Sequence, residues 1–241
     1  MKITTVKEAA ASSGVKVLVA GFAGSGKTML LSTIHGKGLV LSAESGLLSI
    51  ADVPHAGEID VVEVFGIDDV RAAYAALAGK HDYQWVALDS ISEIAEQVLS
   101  NEKTKTKDPR QAYGALIDEM GSLLRAFRDL KLDVYFSAKA VRVKDDTTSR
   151  ITVELLLPGA KLAASIPYLF DEVFFLQVVD SDVAGESTRW LQTRMDARCD
   201  CKDRSGKLAP FEPADLGHVF AKIKAPKLAP MVNEEPNKEN T

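Results

Sequence analysis

Short runs of branched apolar residues alternate along the first part of the chain with longer stretches whose apolar positions recur every three or four residues. Val15–Ala20 (VKVLVA), held between Gly14 and Gly21, reads as a strand, as do Leu39–Ser42, Asp60–Phe65, Trp85–Asp89 and Asp133–Ser137. Val15–Ala20 and Trp85–Asp89 are apolar almost throughout, the pattern of strands covered on both faces. Between them, Thr28–Ile34 and Asp68–Ala78 read as helices. Tyr113, Leu116, Ile117, Met120, Leu123, Leu124, Phe127 and Leu130 trace one face of a long amphipathic helix. Strands alternating with helices predict a parallel sheet with helices on both sides.

The last third changes style. Val141–Val143 and Ile151–Leu155 flank the polar DDTTSR, and Asp171–Val179 and Thr188–Arg194 flank DSDVAGES, so two antiparallel hairpins are expected. Pro213–Lys224 reads as a terminal helix. The predicted fold class is α/β: a mainly parallel sheet flanked by helices, with antiparallel C-terminal strands. One core is expected over 1–224, and a flexible acidic tail over 225–241, whose last eleven residues carry net −2.

The chain has 241 residues, enough for one α/β domain with a substantial core. It carries 29 basic and 34 acidic residues, net −5, so bulk charge does not attract nucleic acid, and any such contact needs a local basic patch. Two cysteines, Cys199 and Cys201, exclude a disulfide framework and are half a zinc site at most. His35, His55, His81 and His218 sit in no ligand spacing. No run approaches the roughly 18–20 apolar residues of a membrane span, and Met1–Gly14 has no apolar core of signal-peptide length. A soluble, cytoplasmic protein is expected.

Gly21-Phe22-Ala23-Gly24-Ser25-Gly26-Lys27-Thr28 matches G-x-x-x-x-G-K-[ST] between a predicted strand and a predicted helix. In that context glycines turn successive N–H groups inward around phosphate oxygens, with Met29 the next N–H along. Lys27 reaches the β- and γ-phosphates, and the Thr28 hydroxyl is placed for Mg²⁺. The ligands expected are ATP and Mg²⁺. Asp89, at the end of an apolar strand, is the second metal-side group, and Ser90 suits a helix cap. The residue after Asp89 is not a glutamate, so the general base lies elsewhere. Glu44, just past Leu39–Ser42, is the candidate, on the expectation that this strand neighbours the phosphate-loop strand.

The order of phosphate loop, LSAESGLL, VALDSIS, long helix and FSAK resembles the RecA-type recombinase ATPase core. The segments PGAKLAASIPYLFDEVFFL and LQTRMDARCDCKDRSG are similar to the short phage-encoded RecA-like proteins grouped with single-strand annealing proteins. The resemblance covers about residues 12–224. It implies that Glu44 is the catalytic glutamate and Asp89 the Walker B aspartate. It puts Lys139 at the γ-phosphate sensor position, where the family usually has Gln or His. Lys202-Asp203-Arg204 is similar to the cation pair that reaches a neighbour's nucleotide, which implies a homo-oligomer, filament or ring.

Asn101–Ala112 (NEKTKTKDPRQA) has net +2 from Lys103, Lys105, Lys107 and Arg110 and corresponds in place to the family's first DNA loop, expected to be flexible. Arg142, Lys144 and Arg150 correspond to the second. The resemblance therefore implies ATP-dependent binding and annealing or recombination of single-stranded DNA, in a bacterial host cytoplasm. The acidic tail offers a docking segment for a single-strand-binding protein. Two other readings share the phosphate loop: a KaiC-like ATPase with a protein client, and a P-loop small-molecule kinase using Arg194, Arg198 and Arg204 as a lid.

Overall fold

The computed structural model describes residues 3–6, 8, 13–44, 46–181 and 186–226. The tail expected over 225–241 lies outside the described residues beyond Pro226. Six parallel strands form the centre of one ten-stranded sheet: β1 (Lys16–Gly21), β2 (Gly38–Ser42), β3 (Ile59–Glu63), β4 (Trp85–Asp89), β5 (Asp133–Lys144) and β7 (Glu172–Asp180). Their order is β7-β1-β5-β4-β2-β3. Beyond β7 the sheet turns antiparallel through β8 (Ser187–Gln192) and β10 (Phe211–Pro213). β6 (Ile151–Leu155) pairs back on β5, and β9 (Lys202–Asp203) on the start of β7. This is the mainly parallel, helix-flanked sheet with antiparallel C-terminal strands that the alternation predicts.

The apolar runs are continuous because alternate residues enter two cores. Leu18, Leu41, Val86, Leu88, Val134 and Phe136 face one side. There they meet α1 (Ile67–Leu77), α2 (Ile91–Lys105), α3 (Pro109–Arg128) and α4 (Ala160–Ser165). Val17, Val19, Val40, Trp85, Ala87 and Tyr135 face the other. They pack on Leu30 and Leu31 after the phosphate loop and on Leu216, Val219 and Phe220 of α5 (Leu216–Lys224). Removing any of these fully buried large side chains costs about 2–5 kcal/mol. Trp85 is fixed further by a bond from its Nε1 to Gly36 O (2.9 Å).

Three expectations are corrected. The helix expected over Thr28–Ile34 is a six-residue 3-10 turn, Thr28–Thr33. The Ser32 and Thr33 hydroxyls donate to the carbonyls three residues back, both at 2.7 Å, and compete with α-helical bonding. The expected flexible loop from Asn101 to Ala112 is mostly helix. α2 continues to Lys105 and α3 opens at Pro109, capped by Asp108, leaving only 106–108 between them. Thirdly, β2 does not neighbour β1: β5 and β4 lie between.

Candidate functional site

The carboxyl ends of β1, β5, β4 and β2 converge, and the phosphate loop fills the end of β1. β1 sits where the strand order reverses, with β7 on one side and β5 on the other, the usual position of a ligand crevice in such sheets. Gly24 (φ +72°) and Gly26 (φ +99°) take left-handed backbone that other residues resist. At Gly21 a Cβ would lie 2.6 Å from Ser25 Oγ, so any side chain there would push the Ser25 hydroxyl aside.

Within this loop Lys27 Nζ donates to the carbonyls of Gly21 and Phe22, both at 3.1 Å. Burial lowers its pKa, against the opposing charges of Glu44 and Asp89. Tyr135 donates its hydroxyl to Lys27 O at 2.9 Å and pins the loop from beneath. Ser25 Oγ is buried without a partner among the described residues. Thr28 Oγ1 donates to Asp89 Oδ2 at 2.7 Å, and Ser137 donates to the other carboxylate oxygen. Asp89 is 2% exposed, and burial raises its pKa, against the Ser137 and Thr28 bonds. A glycine cradle, an orphan hydroxyl, a lysine satisfied only by carbonyls and a Thr–Asp pair fit a nucleotide phosphate chain. Thr28 and Asp89 would hold Mg²⁺, which when bound supplies charge neutralisation.

Ser90 caps α2, accepting from Glu93 N, and its hydroxyl also donates to Glu44 Oε1. Glu44 arrives at the site despite the intervening strands. β2 pairs directly with β4 (Ser42 opposite Asp89), and Ala43 N and Glu44 N both point to Asp89 O (2.8 and 3.4 Å). Lys139, opposite Gly21 in the β1–β5 register, meets three carboxylates. It bonds Glu93 at 2.6 Å and lies 3.6 Å from Glu96 and 3.7 Å from Glu44. Burial opposes its charge, but these carboxylates outweigh burial and raise its pKa. Lys27, Thr28, Glu44, Asp89 and Lys139 therefore form one cluster.

Lys202 and Arg204 stand apart. β9 pairs with the start of β7, Lys202 opposite Val173, whereas Gly21 is three residues further along the neighbouring β1 from Leu18, the partner of Val173. That separation is about 10 Å along the strand direction. Lys202 Nζ donates to Pro167 O (2.8 Å) and Arg204 pairs with Asp171 (2.6 Å). Neither serves this chain's own loop, and Arg204 forms no lid with Arg194 and Arg198.

The basic segments are tied into the fold. Lys103 lies over the Tyr113 ring (5.9 Å), and Lys105 pairs with Glu102 (2.6 Å). Lys107 and Arg110 are exposed. On the β5–β6 hairpin, Lys144 and Arg150 are exposed, and Arg142 lies over the Phe22 ring, 4.1 Å from its centroid. Phe22 meets Phe175 edge-on (5.3 Å). A cleft of about 990 Å³ opens between this hairpin, β7 and the loop, lined by Phe22, Arg142, Ile151, Gln177 and Arg198 among others. Cys199 and Cys201 are buried thiols, and no cluster of three or more metal-ligating side chains occurs among the described residues. No described helix is long and apolar enough to cross a membrane.

The model of a family described as the AAA domain matches residues 13–205, from the turn before β1 to the end of the KDR segment. The chain belongs to the AAA domain family. The family and the loop together make this a P-loop ATPase fold. Among solved structures it is similar to a KaiC-like protein from the hyperthermophilic archaeon Pyrococcus horikoshii OT3. The two are 15% identical over 77% of this chain and 80% of that one, with a TM-score of 0.46. No curated protein matches the chain.

Sequence reasoning missed Ser137, Glu93, Glu96 and Arg189. Ser137 is legible in retrospect, two residues before Lys139 and on the same side of β5. Arg189 gives no local signal; it reaches the loop across 164 residues, its Nε donating to Ser25 O at 3.0 Å.

Proposed function

We propose that this AAA domain protein is an ATP-dependent, single-stranded-DNA-binding protein of the recombinase and annealing type, assembling through nucleotide-bridged contacts between copies of the chain. The observation that carries the reading is the stack of Arg142 on Phe22. Arg142 belongs to the hairpin that corresponds to a DNA loop, and Phe22 is the second residue of the phosphate loop. A strand engaging the hairpin pulls on the cation that rests against the nucleotide cradle. The other basic segment connects to the same flank. Lys103 covers Tyr113, whose ring lies 3.4 Å from where a Cβ on Gly159 would stand, just after β6.

Chemically, Lys27 and the loop amides would bind the phosphates. Glu44, held by Ser90, is placed to orient and deprotonate a water, and Lys139 sits where the γ-phosphate charge would be read. Lys202 and Arg204, which stand apart from their own site, would serve a neighbouring copy, making hydrolysis depend on assembly. Anisotropy of a labelled oligo-dT tests the reading. Binding should tighten at least tenfold with a non-hydrolysable ATP analogue relative to ADP, and weaken with salt. Absence of oligonucleotide binding in either nucleotide state would sink it.

A second reading, an ATPase with a protein client, is favoured by one feature. Val179, Trp190 and Phe211 form an exposed apolar strip on the outer strands, suited to a protein surface rather than a phosphate backbone.

A further inference from the structure

We propose that Arg189 is a nucleotide-binding residue, supplied in cis by β8 to the diphosphate end of the cradle. The proposal rests on the nucleotide reading of the loop and is independent of DNA. Four observations carry it. Arg189 Nε donates to Ser25 O at 3.0 Å, so the side chain is already anchored on the loop. Its Nε and Cδ lie 2.9 and 3.2 Å from where a Cβ on Gly26 would stand, so the stem lies flat against the loop. Only Nε is used: among the described residues the guanidinium has no carboxylate partner, and Arg189 is exposed. Beside it, Ser25 Oγ is buried with its hydrogen-bonding capacity unused.

Position sets the ligand. Ser25 and Gly26 immediately precede Lys27, in the stretch whose amides cradle the α- and β-phosphates. The γ-side groups, Glu44, Lys139 and Asp89, come from β2, β5 and β4, whereas β8 lies on the far side of β1, beyond β7. An exposed guanidinium with its terminal amino groups unspent, braced at that point, is suited to bidentate contact with phosphate oxygens. Its charge is felt equally by ADP and ATP, because both carry the diphosphate. Arg189 thus sets affinity for nucleotide, while the γ-side cluster discriminates triphosphate from diphosphate.

The alternative role is a pure brace that holds the Ser25 carbonyl. Arg189→Gln separates the two, because glutamine Nε2 stands the same number of bonds from the backbone as arginine Nε. It keeps an N–H for Ser25 O and loses the charge and both terminal amino groups. Calorimetric titration of the full-length wild type, Arg189→Gln and Arg189→Leu with adenosine, ADP and a non-hydrolysable ATP analogue, at two salt concentrations, gives the readout. Binding to ADP and to the analogue is expected to weaken about tenfold or more in Arg189→Gln, by equal factors, with a shallower salt dependence and unchanged adenosine binding. ADP affinity equal to wild type in Arg189→Gln, with loss confined to Arg189→Leu, overturns the proposal in favour of the brace. A wild type that binds no ADP overturns it together with the nucleotide reading itself.

Discussion

Thr28 and Asp89 are joined directly, hydroxyl to carboxylate, at 2.7 Å, and this bond links the phosphate loop to the end of β4. A divalent cation is held by groups of this kind in phosphate-loop proteins, so these two oxygens would hold Mg²⁺. Asp89→Asn keeps the shape and removes the charge. It should cut hydrolysis by about a hundredfold or more and abolish the Mg²⁺ dependence of nucleotide affinity. Titration of ADP with and without Mg²⁺ checks this; an unchanged Mg²⁺ increment would remove Asp89 from the site.

Glu44 is held by Ser90 and lies 3.7 Å from Lys139. As the general base it should be needed for turnover and not for binding. Glu44→Gln is expected to lower kcat by about 10²–10⁴ with nucleotide affinity preserved. Equal losses in affinity and turnover would mean that Glu44 holds the cluster together and performs no proton transfer.

Lys139 is balanced among Glu44, Glu93 and Glu96, and the proposed function puts it at the γ-phosphate. Lys139→Ala should leave ADP affinity near wild type and lower affinity for a non-hydrolysable ATP analogue about tenfold, since a charge-assisted contact is worth about 1.5–3 kcal/mol. Its ion pairs are partly exposed, so stability should change by less than about 1 kcal/mol. Parallel loss for ADP and the ATP analogue would contradict a γ-phosphate role.

How much of this was legible differs by element. The central parallel strands are apolar runs bounded by glycine or charge, and they stand within about two residues of where the alternation puts their starts. The placement of the phosphate loop, Asp89 and Glu44 at strand ends is readable because motif and context coincide there. What failed were features set by competition or by distance. Hydroxyls at Ser32 and Thr33 shortened a helix that composition favoured. Glu102 and Lys105, three apart and paired, extended α2 through a segment whose charge suggested a loop. β9 and β10, with two and three residues, are too short to leave a pattern. The position of Glu44 was reached through the wrong neighbour, because strand order is not written in local sequence. Arg189 on Ser25 is a tertiary contact with no local signature.

Glu172 supplies a pH test at the base of β7. It is 1% exposed, its Oε2 has no partner among the described residues, and burial with the nearby Asp203 pushes its pKa from 4.5 up to about 8. The folded state therefore holds a proton that the unfolded chain releases. The stability this group contributes is complete below pH 4.5 and is lost as pH rises through about 8. Glu172→Gln removes that loss. The melting temperature of the variant should exceed that of wild type most at about pH 9 and converge with it near about pH 5. A constant gap across pH would show that Glu172 is ionised in the fold.

In the proposed function, DNA engagement and assembly are coupled to the nucleotide site through Arg142 on Phe22 and through Lys202 and Arg204 of a neighbouring copy. Steady-state ATP hydrolysis, measured with and without single-stranded DNA across protein concentration, separates this coupling from hydrolysis by an isolated subunit. Coupling requires stimulation by DNA and a rate that rises more than linearly with protein, both reduced in Arg142→Ala and Arg204→Ala. A rate per subunit that ignores DNA and concentration alike would contradict it.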